Sequence, residues 1–310
     1  MPTPLIVIVG TTASGKSELG IRLGLRLRGE IVSADSRQVY RGLDIGSGKV
    51  TPQERRQVPH HLLDVADVRQ RFTVAEYQRL AFAAVDDIWA RGKQPLLVGG
   101  SGLYVRAVVD NPTYPNVPPR PDLREQLERT PLPELVAQLE AVDPLTARRI
   151  DQKNARRVVR ALEVSLASGR PFSAQQDHAP LRVNALQLGL TWPRDELRRR
   201  IRDRLQARLA AGMLDETRDL LAAGVPPERL LELGLEYRFL TRYLVGELSY
   251  AEMTTLLETA IVQFAKRQMT WFGRDARVQW LGPERAVEQA EALAVEFLAG
   301  KDRPGDVAGQ

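Results

Sequence analysis

A doubly wound parallel α/β sheet interrupted by a helical insertion is the fold this sequence predicts, and three observations carry it. Short apolar, β-branched runs alternate with amphipathic stretches toward both ends of the chain. The first run breaks into Gly10-Thr11-Thr12-Ala13-Ser14-Gly15-Lys16-Ser17, the G-x-x-x-x-G-K-[ST] pattern of a phosphate-binding loop, or P-loop. A proline-rich segment at residues 110–120 then opens a stretch with helical periodicity alone.

The strand runs fall at residues 5–9, 30–33, 95–98, 185–190 and 278–281. Between residues 122 and 179 the pattern is purely helical, and a strand pattern resumes at 185. The simplest arrangement is a P-loop core domain from residues 1–115 and 183–300, a helical insertion at 116–182 and a polar, flexible tail at 301–310. Helices are expected at 196–212, 213–223, 235–245 and 250–272, with Gly212, Gly224 and Gly246 near their C-caps.

Each part of the loop has a mechanical task. Gly10 and Gly15 let the backbone turn so that its N–H groups converge on one anion. Lys16 adds a point charge, Ser17 a hydroxyl within reach of a metal, and the following helix its positive dipole end.

Four further constellations carry chemistry. Ser33, Asp35, Ser36, Arg37 and Gln38 follow the second strand, where polar residues border the ligand crevice of an open α/β sheet. Asp35 there suits a general base, a metal ligand or a helix N-cap; Gln38 has the donor–acceptor pair that reads an adenine edge. Gly99-Gly100-Ser101-Gly102 makes a second strand-to-glycine break, which is either a ligand loop or an ordinary turn. In the insertion, Arg149, Lys153, Arg156 and Arg160 step by four, three and four, so that one continuous helix would gather them on a single face. Ala155, Val158, Val159 and Leu162 would form the opposite, core-facing stripe. A cationic face of this kind suits a phosphate backbone. Past residue 195, Arg200 and Arg204 share a face and are placed to close on the phosphate site as a second clamp, while Arg198, Arg199 and Arg202 read as solvated surface.

Composition narrows the classes. The formal charge of +5 suits an anionic partner. Cysteine is absent, which excludes disulfides, thiolate catalysis and cysteine zinc sites and suits a reducing cytoplasm. No apolar stretch approaches the roughly 20 residues that span a bilayer, and the N-terminus lacks the basic region of a signal peptide, so a soluble, cytoplasmic protein is expected. His60, His61 and His178 lack metal-site spacing and read as structural; the four tryptophans read as core or rim.

Taken together, GTTASGKS, VSADSRQVYRGLDIGSGK, PHHLLD, GGSGLY, NARRVVRALE and FAKRQMTWF resemble the bacterial tRNA dimethylallyltransferases, in order, from about residue 5 to residue 275. That resemblance implies transfer of a dimethylallyl group from its diphosphate to N6 of adenosine 37 of tRNA. It implies that Gly10, Thr11, Thr12, Ala13, Ser14, Gly15, Lys16 and Ser17 hold the diphosphate together with Arg204 and Arg200, with Mg²⁺ near Ser17. It makes Asp35 the general base and groups Lys16 and Ser101 with it as catalytic. Asp35, Ser36, Arg37, Gln38 and Ser101 would meet the base, and Arg124, Arg156, Arg157, Val158, Val159 and Arg160 would meet the tRNA from the insertion. Relatives more often carry Thr at the position of Ser101, Pro at that of Thr11, and DIGTAK in place of DIGSGK; Leu233–Arg238 departs from the familiar G-Y-R/K, so no tRNA contact is carried over there. A monomer is expected. The competing readings are an isopentenyltransferase acting on free adenylate and a P-loop small-molecule kinase; the basic insertion argues against both.

Overall fold

The computed structural model describes residues 2–115, 117–118, 120–175, 177 and 179–300. His178 and the tail at 301–310 lie outside the described residues. The chain divides into two compact units, Met1–Val109 with Arg182–Gln310, and Asp110–Leu181.

The larger unit is built on one six-stranded sheet in the order β3-β2-β4-β1-β5-β6, with every described pairing parallel. Its strands are β1 (Thr3–Gly10), β2 (Gly29–Ser33), β3 (His60–His61), β4 (Gln94–Gly99), β5 (Val183–Leu190) and β6 (Val278–Leu281). Leu5, Ile6, Val7, Ile8 and Val9 have no exposed surface, as a central strand covered on both faces requires. β3 has no pattern in the sequence because it is two residues long, pairing with Ile31 and Val32. Its histidines are structural: His60 Nδ1 lies 2.7 Å from Val58 O, and His61 Nε2 lies 2.8 Å from the Glu30 carboxylate.

Helices α1 (Lys16–Leu27), α2 (Pro52–Gln57), α3 (Val74–Ala90) and α4 (Gly102–Val109) accompany the first four strands. The smaller unit follows with α5 (Pro121–Arg129), α6 (Leu132–Val142), α7 (Pro144–Arg149) and α8 (Ala155–Ser168). The chain returns through β5 to α9 (Arg194–Ala210), α10 (Met213–Ala222), α11 (Pro227–Glu232), α12 (Leu235–Leu244), α13 (Tyr250–Phe272) and α14 (Ala286–Ala299). Thr51, Thr73 and Ser249 each close a reciprocal capping box with a glutamate three residues on, which sets where α2, α3 and α13 begin. Gly224 (φ 77°) and Gly246 (φ 83°) end α10 and α12 in Schellman geometry, with Val225 N–H donating to Leu220 O and Glu247 N–H to Arg242 O.

The proline-rich segment travels with the insertion. Ala179 N–H donates to Asn111 O, and Thr113 N–H donates to Asp177 O, so the outgoing and returning chain are tied to each other. Leu127, Leu135, Leu139, Val158, Val159 and Leu162 give this unit a core of its own.

Candidate active site

The carboxyl ends of β1, β2 and β4, neighbours in the sheet, bring three loops together. Register sets their level: Val9 pairs with Gly99, and Ser33 with Val98.

The loop after β1 is a backbone cradle. Ala13 (φ 60°) and Gly15 (φ 93°) adopt left-handed conformations, which turn successive amides inward. Gly15 is the N-cap of α1 and offers no side-chain acceptor, so the amides of the first turn are left for an anion. Ser14 Oγ is buried with no hydrogen-bond partner among the described residues. Two arginines of α9 close on the loop from outside: Arg204 donates to Thr12 Oγ1 at 3.1 Å, and Arg200 donates to Ala13 O at 2.9 Å while stacking on Trp192, 4.2 Å from the ring centre. Trp192 donates to Ser14 O at 2.8 Å. Desolvation and the Arg204 guanidinium lower the Lys16 pKa to about 8, against an opposing pull from Asp35. Burial, then Arg208, lower the Arg204 pKa as well, with Glu236 and Asp35 opposing. Asp35, Lys16 and Arg204 therefore share one electrostatic environment.

The segment after β2 is a turn and not a helix, so Asp35 is no N-cap. Asp35 Oδ1 accepts the Arg37 amide at 2.8 Å, an Asx-type turn, and its second oxygen has no hydrogen bond among the described residues. Ser101 Oγ accepts the Ser36 amide at 3.0 Å and lies 3.3 Å from Ser36 Oγ. Gln38 is held at both ends, accepting from Ser33 Oγ at 3.0 Å and donating to Gly48 O at 3.2 Å.

The glycines of the loop after β4 are dictated by neighbours, not by turn geometry. A Cβ on Gly99 would strike Ala34 O, one on Gly100 the Gln268 carboxamide, and one on Gly102 the Trp271 indole. The loop is closed against Ala34, just past β2, and against α13.

A fourth segment, residues 43–49, is locked by groups that the sequence did not single out. The Glu216 carboxylate accepts the amides of Asp44 (2.9 Å), Ile45 (2.6 Å) and Gly46 (2.9 Å), and the Tyr237 hydroxyl at 2.7 Å. Arg208 donates to Ile45 O at 2.7 Å and to Gly46 O. Lys49, its side chain 1% exposed, meets Asp44 and Asp64 at 2.5 Å each. The DIGSGK departure has a local reason: Gly48 is left-handed (φ 62°), and the Arg204 guanidinium occupies the place of its missing Cβ.

Comparison with known proteins decides what this assembly belongs to. The IPP transferase family model matches residues 38–275. The chain belongs to the IPP transferase family. It is 41% identical to a tRNA dimethylallyltransferase of Thermomicrobium roseum, over 98% of this chain and 94% of that one. It is 47% identical to a tRNA dimethylallyltransferase of Streptomyces coelicolor, over 90% and 91%. Among solved structures, the full-length tRNA isopentenylpyrophosphate transferase of Bacillus halodurans matches with a TM-score of 0.72 and 34% identity, over 96% of this chain and 97% of that one. A eukaryotic dimethylallyltransferase acting on tRNA matches with a TM-score of 0.83 and 26% identity, over 98% and 81%.

In this IPP transferase the insertion corrects several expectations. The basic stretch is not one helix. Asn154 caps α8 by accepting the Arg157 amide, so Arg149 ends α7, Lys153 lies in the turn between them, and the four-cation face does not form. Val158 and Val159 are 0% and 4% exposed, packed in the core of their own unit, so their side chains are unavailable to tRNA; Ala155, expected in that stripe, is exposed. Arg124 and Arg160 also have a partner: both pair with the fully buried Glu163, at 2.5 and 2.8 Å, and the Arg120 amide adds a third bond at 2.9 Å. Burial pushes the Glu163 pKa up, but these three donors outweigh it and hold the carboxyl below its usual range. Arg156 and Arg157 stay exposed.

The residues sequence reasoning missed are Trp192, Arg208, Glu216, Tyr237 and Gln268. Arg208 continues the step of four from Arg200 and Arg204, and that spacing is a signal the sequence does contain.

Proposed function

We propose that this protein transfers a dimethylallyl group from dimethylallyl diphosphate to N6 of adenosine 37 in the anticodon loop of tRNA, releasing diphosphate. The observation that carries this reading is the shared environment of Asp35, Lys16 and Arg204, a carboxylate with one open oxygen beside an anion clamp. Family membership favours a tRNA acceptor over free adenylate and over phosphoryl transfer.

Chemically, the N6 lone pair forms a bond to the first carbon of the dimethylallyl group as that carbon's bond to the diphosphate oxygen breaks. The bonding electrons leave with the diphosphate, and the N6 proton passes to the Asp35 carboxylate. The first-turn amides of α1, Lys16, Arg204 and Arg200 hold the leaving group as its charge grows. Arg200 acts mainly through the loop, since its Nε is engaged with Ala13 O. Ser101 holds Ser36, and so the base-reading turn, in place. Gln38 reads adenine only by giving up Ser33 or Gly48.

Among the described residues no group of three histidines or carboxylates is placed to hold a metal ion. The Ser17 hydroxyl would instead hold an Mg²⁺ carried on the diphosphate, and the ion would supply charge neutralisation there. Arg156 and Arg157 are the tRNA contacts we assign in the insertion, with Arg124 and Arg160 holding their unit together. No helix among the described residues is long and apolar enough to cross a membrane; acting on tRNA, the enzyme is read as a cytoplasmic monomer.

The test offers labelled dimethylallyl diphosphate and Mg²⁺ with either unmodified tRNA or AMP. Label in N6-dimethylallyladenosine from the tRNA digest is expected. Label in AMP alone would overturn the tRNA assignment, and phosphoryl transfer from ATP to a small molecule would indicate the kinase.

A further inference from the structure

Helix α13 buries one stripe: Met253, Leu257, Ile261, Ala265, Gln268 and Phe272. Five are apolar, and the sixth is a glutamine that is 6% exposed. A polar side chain in such a position is costly unless both ends of its amide are satisfied. Both are, and by two different loops. Gln268 Oε1 accepts the Thr12 amide at 2.8 Å, and Gln268 Nε2 donates to Gly100 O at 2.9 Å.

From this bridge we infer that Gln268 is a positioning residue that sets the diphosphate loop at a fixed distance from the Ser101 loop, aligning the leaving group with the Asp35 side of the site. The inference rests on the transfer reading above. Thr12 also receives Arg204, and Gly100 precedes the serine that holds Ser36, so the bridge joins one half of the site to the other. No isosteric apolar residue does this, because the span needs an acceptor at one end and a donor at the other. Gly100 is matched to it, for a Cβ there would displace the carboxamide and come within 3.4 Å of Lys16 Cε.

Because both ends of the Gln268 amide are taken up by the two loops, its removal should misalign and not unbind. Gln268→Met keeps the volume and deletes both hydrogen bonds. We expect kcat for dimethylallyl transfer to fall by ~100-fold while the Kd of inorganic diphosphate stays within about threefold. Gly100→Ala should reproduce that split by pushing the carboxamide aside. Gln268→Glu keeps the acceptor for Thr12 but sets a carboxylate near Lys16, joining Asp35 and opposing Arg204. The pH at which diphosphate binding weakens should then move above about 8, a change that loss of packing alone would not cause. An unchanged kcat in Gln268→Met, or a loss of diphosphate affinity as large as the loss of kcat, would overturn the inference. Hydrogen exchange at the Thr12 amide judges the bridge without turnover: it should be protected in the parent and open in Gln268→Met. A parent protein that transfers nothing to tRNA defeats the proposed function, whereas equal Thr12 protection in both proteins defeats the bridge.

Discussion

Asp35 commits one carboxylate oxygen to the Arg37 amide, at 2.8 Å, and among the described residues the other has no hydrogen bond. Asparagine can preserve the first contact and cannot perform the second task. Asp35→Asn should therefore keep the turn and tRNA affinity while lowering turnover by about 10²–10⁴-fold, the range for a lost general base. Single-turnover rates set beside filter-binding affinities check it, and a loss confined to tRNA binding would remove Asp35 from the chemistry.

Lys16 predicts a pH dependence of diphosphate binding. With its pKa lowered to about 8, the free site holds a full ammonium below pH 7 and loses it as pH rises through 8. A bound diphosphate favours the charged form, so affinity should weaken above that point, approaching tenfold per pH unit, with proton uptake on binding. Calorimetry at pH 9 in two buffers of different ionisation enthalpy measures the uptake. Lys16→Met should abolish it; no uptake in the parent would refute the assignment.

The insertion's arginines should separate into two kinds. Arg156→Gln and Arg157→Gln should each flatten the salt dependence of tRNA binding by roughly 0.7–0.9 in log–log slope, without altering stability. Arg160→Gln should leave the slope nearly unchanged and lower the melting temperature. Glu163→Gln should do the same more strongly, by about 1–3 kcal/mol, since Glu163 is buried beneath two guanidinium groups.

Glu216 makes a different prediction. Its carboxylate receives three consecutive amides, from Asp44 to Gly46. Glu216→Gln replaces one acceptor oxygen with a donor that faces an N–H. We expect a destabilisation of about 1–3 kcal/mol and faster exchange of those three amides, ahead of global unfolding. Exchange that stays coupled to global unfolding would show that the clamp is not local.

The fold was legible where periodicity is strong and unopposed. The run at residues 5–9 and the long pattern from 250 to 272 correspond closely to β1 and α13. β3 was illegible because two residues carry no period. The insertion misled for a physical reason: arginine spacing continues from Arg149 to Arg160, but Asn154 offers an amide-accepting side chain in mid-run, and the cap interrupts the helix. Capping chemistry outweighed charge periodicity there. In the site, the residues near glycine motifs were legible because their chemistry is local. Glu216, Tyr237 and Gln268 were not, since each acts on a loop far away in sequence, and only the fold brings them there. In α9, arginines on several faces hide which ones matter; the phase is marked by buried Ile201 and Leu205, each preceded by an arginine that turns inward.

That phase has a consequence for how α9 can vary. Arg200 holds Ala13, Arg204 holds Thr12 and Arg208 holds Ile45, each four residues from the next. A single residue inserted between Arg200 and Arg204 would rotate the later two by about 100° relative to the first. One insertion would then release two loops together, although neither loop had changed. This helix behaves like a key with three teeth: its length is tolerant only in steps close to whole turns.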